Sequence, residues 1–394
     1  MFFDMRKFIT ALSAAALAAV ALVSCDKQET KLPNMDKAPV SLSLTGVTYP
    51  VITRADGDAV PDTENERKVN RYDIFVFKTD GSLDTYYGSE SAPAQTGENG
   101  AFTTGEFYVS TGTLDFWVIA NGPTTLKSSV TTLAQLNAAV STFATENAAA
   151  GNSFVMVGKR QYQVQPGIAT TQHLGVDANE TAANKPAIQL ERVVNKISIK
   201  KITKAFESDA IQSQEVKLLG LWIVMANKQA KYTVGYDSGS DEVPAAADAS
   251  YLNYDSTHLE DNALITWVPA AADQPVINSG AGTAMDHSFY FYPNPAAVSP
   301  NAQTQDFVTK LVMRVSVGGQ EYFYPIGIQQ NATAAAARNR YYEVTNITLR
   351  RPGNKPTDHD INDYIDNAIV DVTMTVKDWV SADITGQYNY DLLN

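Results

Sequence analysis

Apolar and polar residues alternate one for one along short stretches of this chain, and that period fixes the class of fold it can adopt. Val40, Leu42 and Leu44 alternate with Ser41, Ser43 and Thr45. Near the other end, Val370, Val372, Met374 and Val376 alternate with Asp371, Thr373, Thr375 and Lys377. A period of two places every apolar side chain of a segment on one face of a strand. Further strand-like runs lie at 72–78, 83–87, 107–109, 114–119, 154–157, 162–164, 193–200, 216–224, 289–292, 307–317, 322–326 and 341–349. Gly, Pro and Asn separate them, and Asp80-Gly81 is a hairpin signal. Many short strands joined by such loops predict a mainly β protein of sandwich architecture. One helix is predicted, because Leu126, Val130, Leu133, Leu136, Val140 and Phe143 recur at intervals of three or four. The polar, irregular stretch 169–186 divides the chain into residues 55–186 and 187–394, one sandwich each.

The N-terminal end has a different character. Met5-Arg6-Lys7 opens a short positive region, and the apolar run to Val23 is too short to span a bilayer but suits a secretory leader over residues 1–24. Leu22-Val23-Ser24-Cys25 resembles the lipobox of bacterial lipoprotein signals. Cys25, the only cysteine of 394 residues, would then carry lipid and tether the precursor to the outer membrane. No later segment is long and apolar enough to cross a membrane as a helix.

Composition and motifs argue against most chemistry. Thirty basic against forty-three acidic residues give a net charge of −13, which disfavours a nucleic-acid partner. The histidines are His173, His258, His287 and His359, and none forms a metal-ligand pair at helical spacing. The densest polar cluster, Asp358-His359-Asp360 with Asp363 and Asp366, follows a Pro- and Gly-rich loop and reads as a turn. The acidic stretch 56–65 lacks the spacing of a calcium loop. Neither a serine elbow nor a phosphate-binding glycine loop occurs. No metal, cofactor or catalytic role is therefore assigned, and the chain is read as a non-enzyme.

The two ends invite a shared reading. Val40, Leu42 and Leu44 are followed by Val47, Tyr49 and Val51, again at spacing two, up to Thr53-Arg54-Ala55. Arg54 lies where this run meets the flexible acidic loop, a setting in which proteases cut. Cutting there would detach a propeptide of residues 25–54, including both lipid and first strand, and would expose a sheet edge. Both end segments can equally be ordinary strands of one fold, and alternation alone leaves that open.

Several longer runs carry a resemblance. They are Val118-Ile119-Ala120-Asn121-Gly122, Leu190-Glu191-Arg192-Val193-Val194-Asn195-Lys196-Ile197, Phe289-Tyr290-Phe291-Tyr292-Pro293-Asn294, Arg338-Asn339-Arg340-Tyr341-Tyr342-Glu343-Val344 and the segment 370–379 ending in Trp379. In order and content the chain resembles the type V pilus fimbrillins. That resemblance implies two tandem transthyretin-like β-sandwiches with few short helices, and a lipoprotein precursor cut between Arg54 and Ala55 by an arginine-specific protease. It implies removal of the strand carrying Val40, Leu42, Leu44, Val47, Tyr49 and Val51. It also implies a donor strand within about 368–394 that enters the next subunit, with Val370, Val372, Met374, Val376, Trp379 and Ile384 as its contacts. Partners would be copies of the chain or related pilins, the protease, and a surface receptor of unknown identity. A shaft subunit is favoured; a tip, accessory or anchor subunit, or a glycan-binding surface lipoprotein, is the alternative.

Overall fold

Strand alternation becomes sheet pairing in a computed structural model that describes residues 36–45, 64–96, 101–143, 146, 153–175, 184, 186–233, 251–294, 308–328, 338–363, 369–378 and 386–389. In chain order the first half contains β1 (Lys37–Thr45), β2 (Tyr72–Lys78), β3 (Leu83–Ser89), β4 (Phe102–Thr103), β5 (Phe107–Ser110) and β6 (Gly112–Ala120). It continues through β7 (Val140–Thr142), β8 (Met156–Val164), β9 (Gln172–Leu174), β10 (Ile188–Gln189) and β11 (Glu191–Arg192). One sheet runs β11-β8-β6-β2-β3; the other is built on β1, flanked by β4, β5, β9 and β10. Their inner faces meet through alternate residues, Val40, Leu42 and Leu44 from one sheet against Ile74, Val76, Phe116 and Val118 from the other. That is the interleaving of a β-sandwich. The hairpin at Asp80-Gly81 closes as the sequence suggests: Gly81 has φ +81°, and the Asp80 carboxylate accepts the Ser82 amide at 2.9 Å.

The second half contains β12 (Asn195–Lys204), β13 (Val216–Val224), β14 (Ala226–Asn227), β15 (Gln229–Lys231), β16 (Tyr251–Leu252), β17 (Thr266–Trp267) and β18 (Thr283–Phe291). After these come β19 (Lys310–Val317), β20 (Gln320–Gly327), β21 (Arg340–Leu349), β22 (Val370–Asp378) and β23 (Gly386–Asn389). Sheets β18-β12-β21-β22-β23 and β17-β13-β19-β20 enclose Ile197, Ile199, Leu221, Ile223, Met313, Tyr342 and Val344. Because β10 and β11 still pair with β1 and β8, the chain hands over from one sandwich to the next between Arg192 and Asn195.

The single helix expected over 126–143 is instead two short ones, Leu126–Ser129 and Leu133–Ala138. Val130 is extended, at φ −113° and ψ 108°, and the β-branched run Val130-Thr131-Thr132 breaks the helix. Thr132 then restarts it as an N-cap, forming a reciprocal capping box with Gln135. The apolar positions keep their purpose: Leu126, Val130, Leu136 and Phe143 are all buried. They join Phe75, Phe77, Trp117 and Ile119 on the outer face of the first sandwich, in one core continuous with the second. β7 crosses to pair with β15, stitching the halves together.

Candidate functional site

The position of β1 is the feature that matters most. It lies in the middle of its sheet, antiparallel to β4 and β5 on one side and parallel to β9 and β10 on the other. Val40 faces Phe107 and Gln172, Leu42 faces Leu174, and Leu44 faces Phe102 and Ile188. Where β4 and β5 part, Thr104 bridges: its side-chain oxygen accepts the Leu42 amide at 3.0 Å, and its own amide donates to the Leu42 carbonyl at 2.9 Å. Among the described residues no strand pairing joins the β4/β5 side to the β9/β10 side without β1. Taking β1 away therefore leaves a slot about 9–10 Å wide, two inter-strand spacings, with an unpaired edge on each wall.

The slot is apolar at its floor. Ala38, Val40, Leu42 and Leu44 are all at most 1% exposed. Burying three such branched side chains is worth roughly 5–9 kcal/mol, as large as the stability of many whole domains. On the outer face polar groups line the strand. The Ser41 hydroxyl and His173 Nδ1 share a hydrogen bond of 2.7 Å, and the Ser43 and Thr103 hydroxyls lie 3.4 Å apart. Gly175, at φ +84°, closes the end of β9 against β1; a Cβ there would sit 3.0 Å from the Ser43 carbonyl oxygen.

The C-terminal segment carries the same alternation in a different setting. β22 pairs antiparallel with β21 from Leu349↔Val370 to Arg340↔Asp378, with an irregularity at Val344/Asn346, and β23 covers its other edge. Val370, Val372 and Met374 are buried in their own sandwich, whereas Thr373 on the opposite face is exposed. Val376 is placed by its backbone opposite Tyr342. Cys25, Val47, Tyr49, Val51, Arg54, Ala55, Trp379 and Ile384 lie outside the described residues.

A second constellation, at the junction of the sandwiches, was invisible in the sequence. A short helix, Glu64–Arg67, carries the buried Glu66, whose carboxylate pairs with Lys196 Nζ at 2.7 Å and accepts the Tyr290 hydroxyl. Arg192, also fully buried, donates to the Glu66 carbonyl at 2.7 Å. Nearby, the buried Glu146 accepts the Ser141 hydroxyl at 2.9 Å, the Tyr292 hydroxyl at 3.0 Å and the Val155 amide at 2.9 Å. Desolvation pushes its carboxyl up to about 7 despite those donors. The polar cluster at 358–363 is structural: Asp360 accepts the Ser256 amide and hydroxyl, and His359 lies 3.3 Å from Asp363.

Fold and site together define a two-sandwich β protein whose first sheet is completed by its own N-terminal strand. Residues 38–209, a stretch that opens inside β1, match the family model for the major fimbrial subunit protein FimA. The resemblance to fimbrillins is met by that match, and the family matched over this stretch is one of structural fimbrial subunits, not of enzymes. Solved structures share the fold. A candidate cell adhesion protein from Parabacteroides distasonis superposes with a TM-score of 0.59 at 16% identity, covering 87% of this chain and 99% of its own. Another from Bacteroides eggerthii gives 0.57 at 19% identity, covering 87% and 96%. The Porphyromonas gingivalis fimbrilin gives 0.55 at 15% identity, covering 88% and 99%. No curated protein sequence matches the chain.

Proposed function

We propose that the chain is a shaft subunit of a cell-surface fimbria that polymerises by protease-triggered donor-strand exchange and so supports adhesion or biofilm formation. The observation that carries this is the central, fully embedded place of β1, reached through the Arg54–Ala55 bond that follows it in sequence. In this reading Cys25 holds the precursor at the outer membrane, and an arginine-specific protease separates the lipid and β1 from the rest. Cleavage alone does not empty the slot, since β1 remains held by its backbone ladder and its four inward side chains. The incoming strand displaces it, and the apolar floor is covered throughout.

The donor is β22 of the next subunit, within 368–394. Its nine residues match the nine of β1 in length, and each carries four inward positions at spacing two. Moving these side chains from one apolar groove to another is close to neutral, so loss of the severed, displaced β1 peptide to solution supplies the driving force. Each subunit gives one end and receives at the other, so the contact is heterologous and propagates into a filament rather than a closed ring.

Removal of residues 368–394 tests this. The shortened precursor should still be exported and cut, yet give no filaments by electron microscopy and no ladders resistant to SDS. Normal filaments from the shortened chain would overturn the donor assignment.

A further inference from the structure

Resting on the donor-strand reading above, we infer that the incoming strand seats in the register that hydrogen bonds its Thr373 to His173 of the receiving copy. The inference follows from counting positions. In β1 the inward residues are Ala38, Val40, Leu42 and Leu44, and the outward residue at their centre is Ser41. In β22 the corresponding four are Val370, Val372, Met374 and Val376, centred on Thr373. Filling all four pockets with all four side chains puts Thr373 where Ser41 stands. This holds whichever way the donor runs, because reversal exchanges Asp371 with Thr375 and leaves the centre in place.

Among the described residues, Ser41 is where the slot makes a side-chain hydrogen bond to the parallel wall, 2.7 Å from His173 Nδ1, with Ser41 only 5% exposed. Thr373 brings a hydroxyl to that point, and in the free subunit its side chain is exposed on β22 and available. A slip of two residues would leave one inward pocket empty and set Asp371 or Thr375 against the imidazole. A slip of one would turn every apolar side chain outward. The apolar floor thus excludes odd slips strongly, and the apolar pocket left empty disfavours the even ones.

The trimmed subunit offers a clean test, because Cys25 is the only cysteine and precedes Arg54. Subunits carrying His173→Cys with Thr373→Cys, assembled and then oxidised, should give ladders that survive boiling and collapse with reductant. The pairings His173→Cys with Asp371→Cys or with Thr375→Cys should not. Cross-linking through 371 or 375 instead would overturn the register while leaving β22 as donor. Filaments that cross-link through none of the three would overturn the donor assignment itself. Separately, Thr373→Val should slow ladder formation about fivefold and Thr373→Ser should not. The double variant His173→Leu with Thr373→Val should recover much of the rate, because both partners of the bond are then apolar. Wild-type rates from Thr373→Val alone would overturn the role given to the hydrogen bond.

Discussion

The slot around β1 and the junction between the sandwiches are both deeply buried, but they are built from opposite materials. The slot holds its strand by a backbone ladder and four aliphatic side chains. The junction holds its halves by Glu66, Lys196, Arg192, Tyr290 and Glu146, charged or hydroxyl groups with assigned partners. Aliphatic packing accepts any strand of similar volume and pattern, whereas a buried ion pair accepts little else. Under the proposed exchange mechanism, a subunit that gives up one strand while staying rigid along a fibre needs both kinds of interior. Replaceable contacts belong at the slot, and exacting ones at the joint.

The sharpest way to separate the two regions is to damage each before and after trimming. Lys196→Ala strands the Glu66 carboxylate in the interior, and the expected loss is about 3–5 kcal/mol by denaturant titration, the same in precursor and trimmed subunit. Leu42→Ala should cost the precursor about 2–5 kcal/mol through a cavity in the slot. It should cost the trimmed subunit nothing once the old strand has been displaced. If the Leu42 effect persists in assembled filaments, the strand has not left.

Acid–base behaviour distinguishes the regions next. Glu146 has its carboxyl raised from an ordinary 4.5 to about 7 by burial, and the Tyr292 and Tyr232 phenols around it are also pushed up and stay neutral. Between those values the folded chain keeps a proton that the unfolded chain has lost. Its contribution is therefore complete below about pH 4.5 and lost as pH rises through about 7, a change of about 3 kcal/mol. Glu146→Gln should flatten that part of the stability profile, measured by thermal unfolding between pH 5 and pH 8, and should leave strand release unchanged. A profile as steep in the variant as in the wild type would remove Glu146 as its cause.

The smallest effect concerns direction. A donor running as β1 does sets Val372 in the Val40 pocket and Met374 in the Leu42 pocket, swaps that nearly conserve volume. The reverse course sets Met374 in the Val40 pocket and valines in both leucine pockets. The first course puts Thr375 beside Thr103, where Ser43 now lies. Thr103→Cys with Thr375→Cys should therefore cross-link in filaments, with no change in stability. A link between 103 and 371 would reverse the direction.

Much of the slot was legible in the sequence because period-two alternation reports burial on one face directly. It reports nothing about place within a sheet: Leu42 and Val372 sit in identical patterns, one in a central strand and one beside a short covering strand. The seam from Leu126 to Phe143 gave the buried face correctly, yet its helical reading failed at Val130, where β-branched neighbours and the Thr132 cap won locally. The junction was not legible at all. Glu66 follows an acidic loop and reads as solvated, and only contacts 130 and 224 residues away, to Lys196 and Tyr290, bury and neutralise it. His173 is exposed, as a histidine among polar neighbours would be, but nothing in those neighbours reveals that Ser41 lies across from it.

The central claim is that cutting after Arg54, which makes β1 displaceable, triggers assembly. It is tested most directly by treating purified precursor with an arginine-specific protease, sequencing the new N-terminus, and following SDS-resistant ladders in the same sample. A terminus at Ala55 that appears before, and in proportion to, ladders and filaments is the predicted result. Clean cleavage at Ala55 that leaves only monomers, or filaments that form with residues 25–54 still attached, would contradict it.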